Sequence, residues 1–454
     1  MRLLHYSDIE NVHDDPERVA RLAGTIGSLR DDRTLVCDTG DSVAPGVLPL
    51  VSEGAIALEF FDAVSPTVGT FGNHEFDFGP ERAAELVERS PQRWLSANVR
   101  RNGGPFAGVE PWGIERVGDE RVGFFGVTDP ATPPVDDDSG AAVEIVDPFP
   151  VAREAVGRLR ARGVDHVVAL SHLGRGDDRL ATVPGIDVVL GGHVHSERVT
   201  RVDDTILTRP GSGGEVVLEV DPAAGTVTRH PVDGGPADDG LCACYRARLA
   251  EAGLDAVVDS VREPIPRTDA ETFHGESRIG NFVADAYRWA AERAVGTDVA
   301  VVGLQNSGGI RTGPPLSGEV TAADLVGVVP FAEPLVVAEV TGSELRSVFA
   351  EAANAAGFGE DGWWHAHVSG ARLAYDHGED RLTAATVGDG PVEAGRSYRL
   401  AVSEFLLYTG VEFPTLTERH LVERLEPQYE VLVEYARSVG VDPSLEGRIV
   451  RRGV

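Results

Sequence analysis

The sequence predicts an α/β protein of two domains. Three observations carry this: a length of 454 residues, short apolar runs alternating with amphipathic stretches, and polar clusters set directly after those runs. A chain this long exceeds one ordinary hydrophobic core, and strands separated by helical periodicity form layered α/β domains. In the first half, the candidate strands are residues 2–6, 33–37, 66–69, 121–126, 164–169, 187–190 and 205–208. The candidate helices between them are 16–29, 52–62, 80–88 and 148–162. Residues 215–236 read as a final strand and turn-rich sequence, which closes a first domain at 1–236. Residues 237–267 read as a linker with a helix inside 238–261, and 268–454 as the second domain. That domain has helices near 279–294, 321–327, 342–356 and 425–437, and strands 299–304, 335–340 and 398–402. The acidic, glycine-rich stretches 133–140 and 231–240 read as solvated loops.

Composition narrows the function classes. No apolar run approaches the roughly 18 residues that cross a bilayer, so no membrane role is expected. The chain carries 73 acidic against 41 basic side chains, every basic one an arginine, for a net charge of −32. Such a balance disfavours binding to a nucleic-acid backbone. Molar salt, which shrinks the screening length to about 3 Å, relieves the self-repulsion, and high intracellular salt is the simplest explanation. Met1 to Asp8 already read as a strand leading into a polar cluster, without a signal-peptide pattern, so a cytoplasmic location is expected. Cys37 sits in an apolar strand, and Cys242 and Cys244 have neither zinc-ligand nor disulfide-framework spacing.

The polar clusters carry the chemistry. Asp8 follows the first strand, Asp38-Thr39-Gly40-Asp41 the second and Gly72-Asn73-His74 the third. Ser171-His172 and Gly191-Gly192-His193-Val194-His195 follow the fifth and sixth. Loops that leave the same sheet edge converge in space, so these residues can share one site. A dinuclear metal centre needs a bridging carboxylate plus terminal oxygen and nitrogen ligands. Asp41 is the natural bridge, with Asp8 and His195 on one metal and Asn73, His172 and His193 on the other. Two ions about 3.5–4 Å apart can share a hydroxide and aim it at a phosphorus centre.

These blocks, with Asp8-Ile9-Glu10, Gly40-Asp41 and Asn73-His74-Glu75-Phe76-Asp77, resemble the calcineurin-like metallophosphoesterases and their 5'-nucleotidase branch. That branch includes UDP-sugar hydrolases and 2',3'-cyclic-nucleotide phosphodiesterases. The resemblance implies a four-layer β-sandwich flanked by helices, followed by an α/β substrate-binding domain. It also implies a catalytic pair, His74 assisting phosphoryl transfer and Asp77 orienting it, in keeping with the chemistry of a carboxylate-supported imidazole. One position departs from the family: where it has Asp-x-His, this chain has Glu10. Either Glu10 ligates, which favours manganese over zinc, or it points away and water takes its place; ligation is the reading adopted.

In the second half, Gln305-Asn306-Ser307-Gly308-Gly309-Ile310-Arg311 resembles the family's Asn-Gly-Gly-Gly-Ile-Arg block, and Gly280-Asn281 and Val329-Pro330-Phe331 match further blocks. The resemblance implies that Arg311 binds phosphate, Asn306 a polar edge of the nucleoside, and Phe331 and Phe405 the two faces of a base. Two expected groups are missing. Val411 stands where a ribose-binding aspartate is expected, and Phe273 where a phosphate-binding arginine is expected, unless Arg278 substitutes. The expected function is hydrolysis of a nucleoside 5'-monophosphate by two divalent metals, a bridging hydroxide and His74. The alternatives are another phosphoester (a cyclic nucleotide, a nucleotide sugar or a sugar phosphate) and, more remotely, a non-catalytic ligand-binding protein.

Overall fold

The computed structural model describes residues 1–131, 143–296, 299–353 and 362–453. The expected loop at 133–140 lies outside the described residues. The chain divides into two units, Met1–Ala252 and Gly253–Val454.

The first unit is built on two six-stranded sheets. One runs in the order Thr226–Pro231, Val216–Asp221, Arg2–Tyr6, Thr34–Asp38, Val68–Gly69 and Arg93–Trp94, and its last four strands are parallel. The other runs Arg198–Val202, Thr205–Arg209, Val188–Gly191, His166–His172, Glu120–Thr128 and Trp112–Val117, with four parallel strands between antiparallel edges. Strand periodicity explains why the sheets stack. Leu3, Leu35 and Cys37 of the first sheet pack against Phe124, Val168 and Leu190 of the second in one buried cluster. The alternate residues Phe125, Ala169 and Val189 point to the opposite face, where they meet Ala152, Val156 and Leu159 of the helix Pro148–Ala161. A strand with both faces covered reads as a continuous apolar run, as residues 167–170 do within His166–His172. The mixed α/β sandwich expected from the sequence is therefore observed.

Most helices fall where their caps put them. Pro16–Leu29 begins at Asp15, whose side chain accepts from the Glu17 and Arg18 amides. The expected helix 52–62 is instead two, Val47–Ser52 and Ile56–Val64, because Glu53 (φ 48°) and Gly54 (φ 77°) turn the chain left-handed between them. The helix expected within 238–261 is Asp239–Glu251 only. Gly253 (φ 65°) ends it, and the remainder becomes the strand Val257–Arg267.

The second unit holds a five-stranded sheet in the order Ala366–Ser369, Val301–Asn306, Ser397–Ser403, Pro334–Thr341 and Leu421–Pro427. A four-stranded sheet and a two-stranded ribbon, Val257–Arg267 with Gly313–Thr321, accompany it. Trp364, Phe349, Leu400 and Leu345 centre its core. The helix expected at 425–437 starts at Gln428, since Pro427 closes the preceding strand. No helix among the described residues is long and apolar enough to cross a membrane.

Buried polar contacts tie the helices of the first unit to its sheets. His13 donates from Nε2 to the Ser42 carbonyl (2.9 Å), and its Nδ1 lies 2.8 Å from the Tyr245 hydroxyl, which also reaches the Ile56 carbonyl (3.1 Å). Burial pulls its pKa down to about 4. The unfolded chain protonates this group near 6.5, so its contribution to stability is complete above pH 6.5 and drains as the pH falls toward 4. That contribution amounts to roughly 2–3 kcal/mol. The stability advantage of the wild type over His13→Gln should therefore shrink by about that amount between pH 7 and pH 4.5 in denaturant titrations; a constant difference would contradict a buried neutral imidazole.

Candidate active site

The parallel strands of both sheets end at one edge, and the polar clusters emerge there, as ligand sites do in open α/β sheets. The structure brings the sequence-predicted ligands into two groups. Asp8, Glu10 and His195 present ligand atoms within 4.8 Å of one another, and so do Asp41, His172 and His193. Glu10, Asp41 and His74 form a third, overlapping group. Glu10 points inward: its Oε1 lies 3.1 Å from His195 Nε2, and the residue is buried.

The local backbone holds these groups against its own preference. Asp8, Asp41 and His193 all adopt left-handed conformations, with φ of 49°, 52° and 72°. Non-glycine residues rarely do so, at a cost of about 1–3 kcal/mol each, and such strain clusters at functional sites. Glycines make room beside them. A Cβ on Gly72 would sit 2.1 Å from Asp41 Oδ1, and one on Gly192 would sit 2.4 Å from Ser7 Oγ and 2.9 Å from Asp8 Oδ2.

Hydrogen bonds then aim each ligand. His172 donates from Nδ1 to the Thr39 carbonyl (2.7 Å), which turns Nε2 toward Asp41 Oδ2 at 3.0 Å. Asp8 accepts from the Ser7 hydroxyl and from the His193 amide. Glu75 accepts from the Asp41 amide (3.0 Å), the Ser42 amide (2.8 Å) and the Gly72 amide (2.5 Å), clamping two strand ends together. Buried Asp177 accepts from the Ser171 hydroxyl and from Arg209, bracing the turn beside His172. Ser7, Thr39, Glu75 and Asp177 were not singled out as site residues from the sequence. Glu75 had a signal, since it lies inside the Asn73–Asp77 block. The Thr39 carbonyl had none, because a backbone acceptor has no residue signature.

The electrostatics call for cations. Asp8 is fully buried, and burial pushes its carboxyl up to about 6. Asp41 is also buried, yet His172 at 3.0 Å holds it ionised below the usual carboxylate range, while His172 is held above the usual imidazole range. A divalent ion on Nε2 can take the place of that imidazolium charge. The Asn73 Oδ1 atom is buried without a hydrogen-bond partner, an orphan acceptor that a cation satisfies. The donor set of carboxylate oxygens, an amide oxygen and imidazoles therefore fits two divalent ions. At His74, burial alone would lower the pKa, but the Asp77 carboxylate at 2.8 Å from Nδ1, with Asp41 and Glu10 nearby, raises it to about 9.

In the second unit, Asn306, Phe331 and Phe405 line one cavity of about 280 Å³. Arg311 is exposed, its guanidinium 6.0 Å from the centre of the Phe331 ring, and it has no salt-bridge or side-chain hydrogen-bond partner among the described residues. Phe273 is buried and stacks on Trp363 at 4.1 Å. Arg278 does not stand in for the missing arginine, because its guanidinium donates to the carbonyls of Pro443, Glu263 and Pro264. Val411 is exposed.

Comparisons with known proteins agree with this architecture. Residues 1–197 match the calcineurin-like phosphoesterase family, and residues 257–418 match the 5'-nucleotidase C-terminal domain. The chain belongs to the calcineurin-like metallophosphoesterases of the 5'-nucleotidase family. It is 24% identical to the trifunctional nucleotide phosphoesterase protein YfkN of Bacillus subtilis, over 99% of this chain and 35% of that one. It is 24% identical to the cell wall protein Lmo0130 of Listeria monocytogenes (92% and 61%) and 25% identical to the snake venom 5'-nucleotidase of Naja atra (95% and 92%). The chain thus spans about a third and three fifths of the first two relatives. Among solved structures, the 5'-nucleotidase precursor from Thermus thermophilus superimposes with a TM-score of 0.74 at 26% identity, over 100% of this chain and 99% of that one. These relatives correct one expectation. A cell wall protein and a venom enzyme act outside the cytoplasm, so the cytoplasmic location inferred from the first residues does not stand.

The Gly72 contact gives a direct test of the site. Gly72→Ala should push Asp41 out of place and lower the bound metal from two ions per chain, measured by elemental analysis after dialysis, with the fold retained in circular dichroism. Two ions retained in that variant would remove Asp41 as the bridge.

Proposed function

We propose that the protein hydrolyses nucleoside 5'-monophosphates to nucleoside and inorganic phosphate. The observation that carries this reading is the pair of ligand groups around Asp41, with the His74–Asp77 pair beside them. Asp8, Glu10 and His195 would hold one divalent ion, and Asn73, His172 and His193 the other, with Asp41 between; the oxygen-rich first set favours manganese over zinc. When bound, such a pair supplies Lewis acidity to the phosphate oxygens and lowers the pKa of the attacking water.

The chain's own residues do the rest. Asp77 holds His74 Nδ1 and favours its protonated form, which leaves Nε2 for the leaving group. As the bond from phosphorus to the ester oxygen breaks, Nε2 gives its proton to that oxygen, and the water oxygen remains on phosphorus. Arg311 offers a guanidinium for the phosphate, and Phe331 and Phe405 offer ring faces for the base. This division of labour follows the families matched by the two halves of the chain.

A second reading has specific support. With Phe273 buried and Val411 in place of a carboxylate, the organic group need not be a ribonucleoside. A panel of AMP, GMP, a cyclic nucleotide, a nucleotide sugar and a sugar phosphate separates the two; turnover of the sugar phosphate without AMP or GMP would overturn the nucleotidase reading. His74→Ala should lower turnover by roughly 10²–10⁴-fold while keeping both metals, because the bond to Asp41 Oδ1 comes from the His74 backbone amide, which alanine retains. Turnover at the wild-type level would take His74 out of the mechanism.

A further inference from the structure

The cavity of the second unit contains a carboxylate that the sequence did not single out. Glu412 lines it together with Asn306, Phe331 and Phe405, and is only 5% exposed. Its Oε2 accepts from Asn306 Nδ2 (2.8 Å) and from His365 Nε2 (2.6 Å). His365 is itself fixed between the rings of Phe273 and Phe413, nearly parallel to both. The carboxylate is therefore held in one orientation. Its other oxygen, Oε1, has no hydrogen-bond partner among the described residues and is not sealed from solvent. Oε1 therefore opens on the cavity.

Two other polar side chains of the wall are already engaged. Asn306 Oδ1 accepts from Gln305, and its amide nitrogen serves Glu412. Gln428 accepts from the Tyr287 hydroxyl and donates to the Glu333 carbonyl. A desolvated carboxylate oxygen among apolar rings discriminates strongly between ligands that bring a donor to it and ligands that bring an acceptor.

We propose that Glu412 is a specificity-determining residue, its Oε1 accepting a hydrogen bond from an N–H or O–H donor on the organic half of the phosphoester held in this cavity. The inference rests on the nucleotidase reading and assigns to Glu412 the polar contact expected of Asn306. Two parts of a nucleoside carry such donors: the N–H groups of a base edge, as on guanine or the adenine amino group, and the hydroxyls of ribose.

Binding of guanosine, adenosine and their 2',3'-dideoxy forms to the whole chain, measured by calorimetry, separates these sources. Weaker binding of both dideoxy forms places the ribose hydroxyls on Glu412. Affinity for either nucleoside that survives loss of the hydroxyls places the base edge there, and the preferred base identifies the edge. Glu412→Gln keeps an oxygen for Asn306 and His365 but turns an N–H₂ group toward the ligand. It should weaken the preferred donor ligand by roughly 10- to 100-fold and reduce or reverse the preference. If Glu412→Gln does not fold, Glu412→Asp carries the test: it withdraws the charge from the cavity and should keep the preference at reduced affinity. Unchanged affinities and order in the folded variant overturn the assignment and leave the nucleotidase reading in place. A wild type that neither binds nucleosides nor hydrolyses their monophosphates removes the nucleotidase reading, and the assignment with it.

Discussion

Two buried carboxylates, Asp8 and Asp41, set the terms for the first unit. Anions cannot remain charged in a dry interior without compensation, and here they stand with Glu10 at the same sheet edge. The surrounding chain holds them in place. Left-handed backbone turns them inward, glycines clear the space beside them, and Glu75 fastens the Asp41 turn to the Gly72 turn through three amides. Stability is given up at this edge and recovered in the apolar layers behind it, where alternate strand residues pack on both faces of the second sheet.

The same strain gives the site its chemistry. Ligands held apart from their preferred conformations are ready for cations before any arrive, so little reorganisation accompanies binding. The His74–Asp77 pair places a carboxylate-supported imidazole next to the ligand groups, and its charge depends on the same carboxylates. The candidate metal ligands and the imidazole of His74 thus meet at Asp41, whose Oδ1 accepts from the His74 amide while Oδ2 faces His172.

Much of this was legible in the sequence, for identifiable reasons. The expected ligands each lie at or just after the end of a strand, His172 as the last residue of its own, and spacing after an apolar run is a local signal that survives folding. The central strands were legible because both faces are covered, which makes them continuous apolar runs; the half-exposed edge strands Arg198–Val202 and Thr226–Pro231 carry no such run and were missed. What was missed depends on backbone conformation or on long-range partners. The left-handed turn at Glu53 and Gly54 split one expected helix, and Gly253 cut another short. The Thr39 carbonyl that orients His172 comes from 133 residues away, and Glu412 meets Asn306 across 106 residues. No periodicity reports such pairings.

Anomalous scattering from crystals soaked in manganese tests the central claim most directly. Two ions should appear at the strand edge, one ligated by Asp8, Glu10 and His195, the other by Asn73, His172 and His193, with Asp41 touching both. A single ion, or two ions with Asp41 or Glu10 turned away, would contradict it.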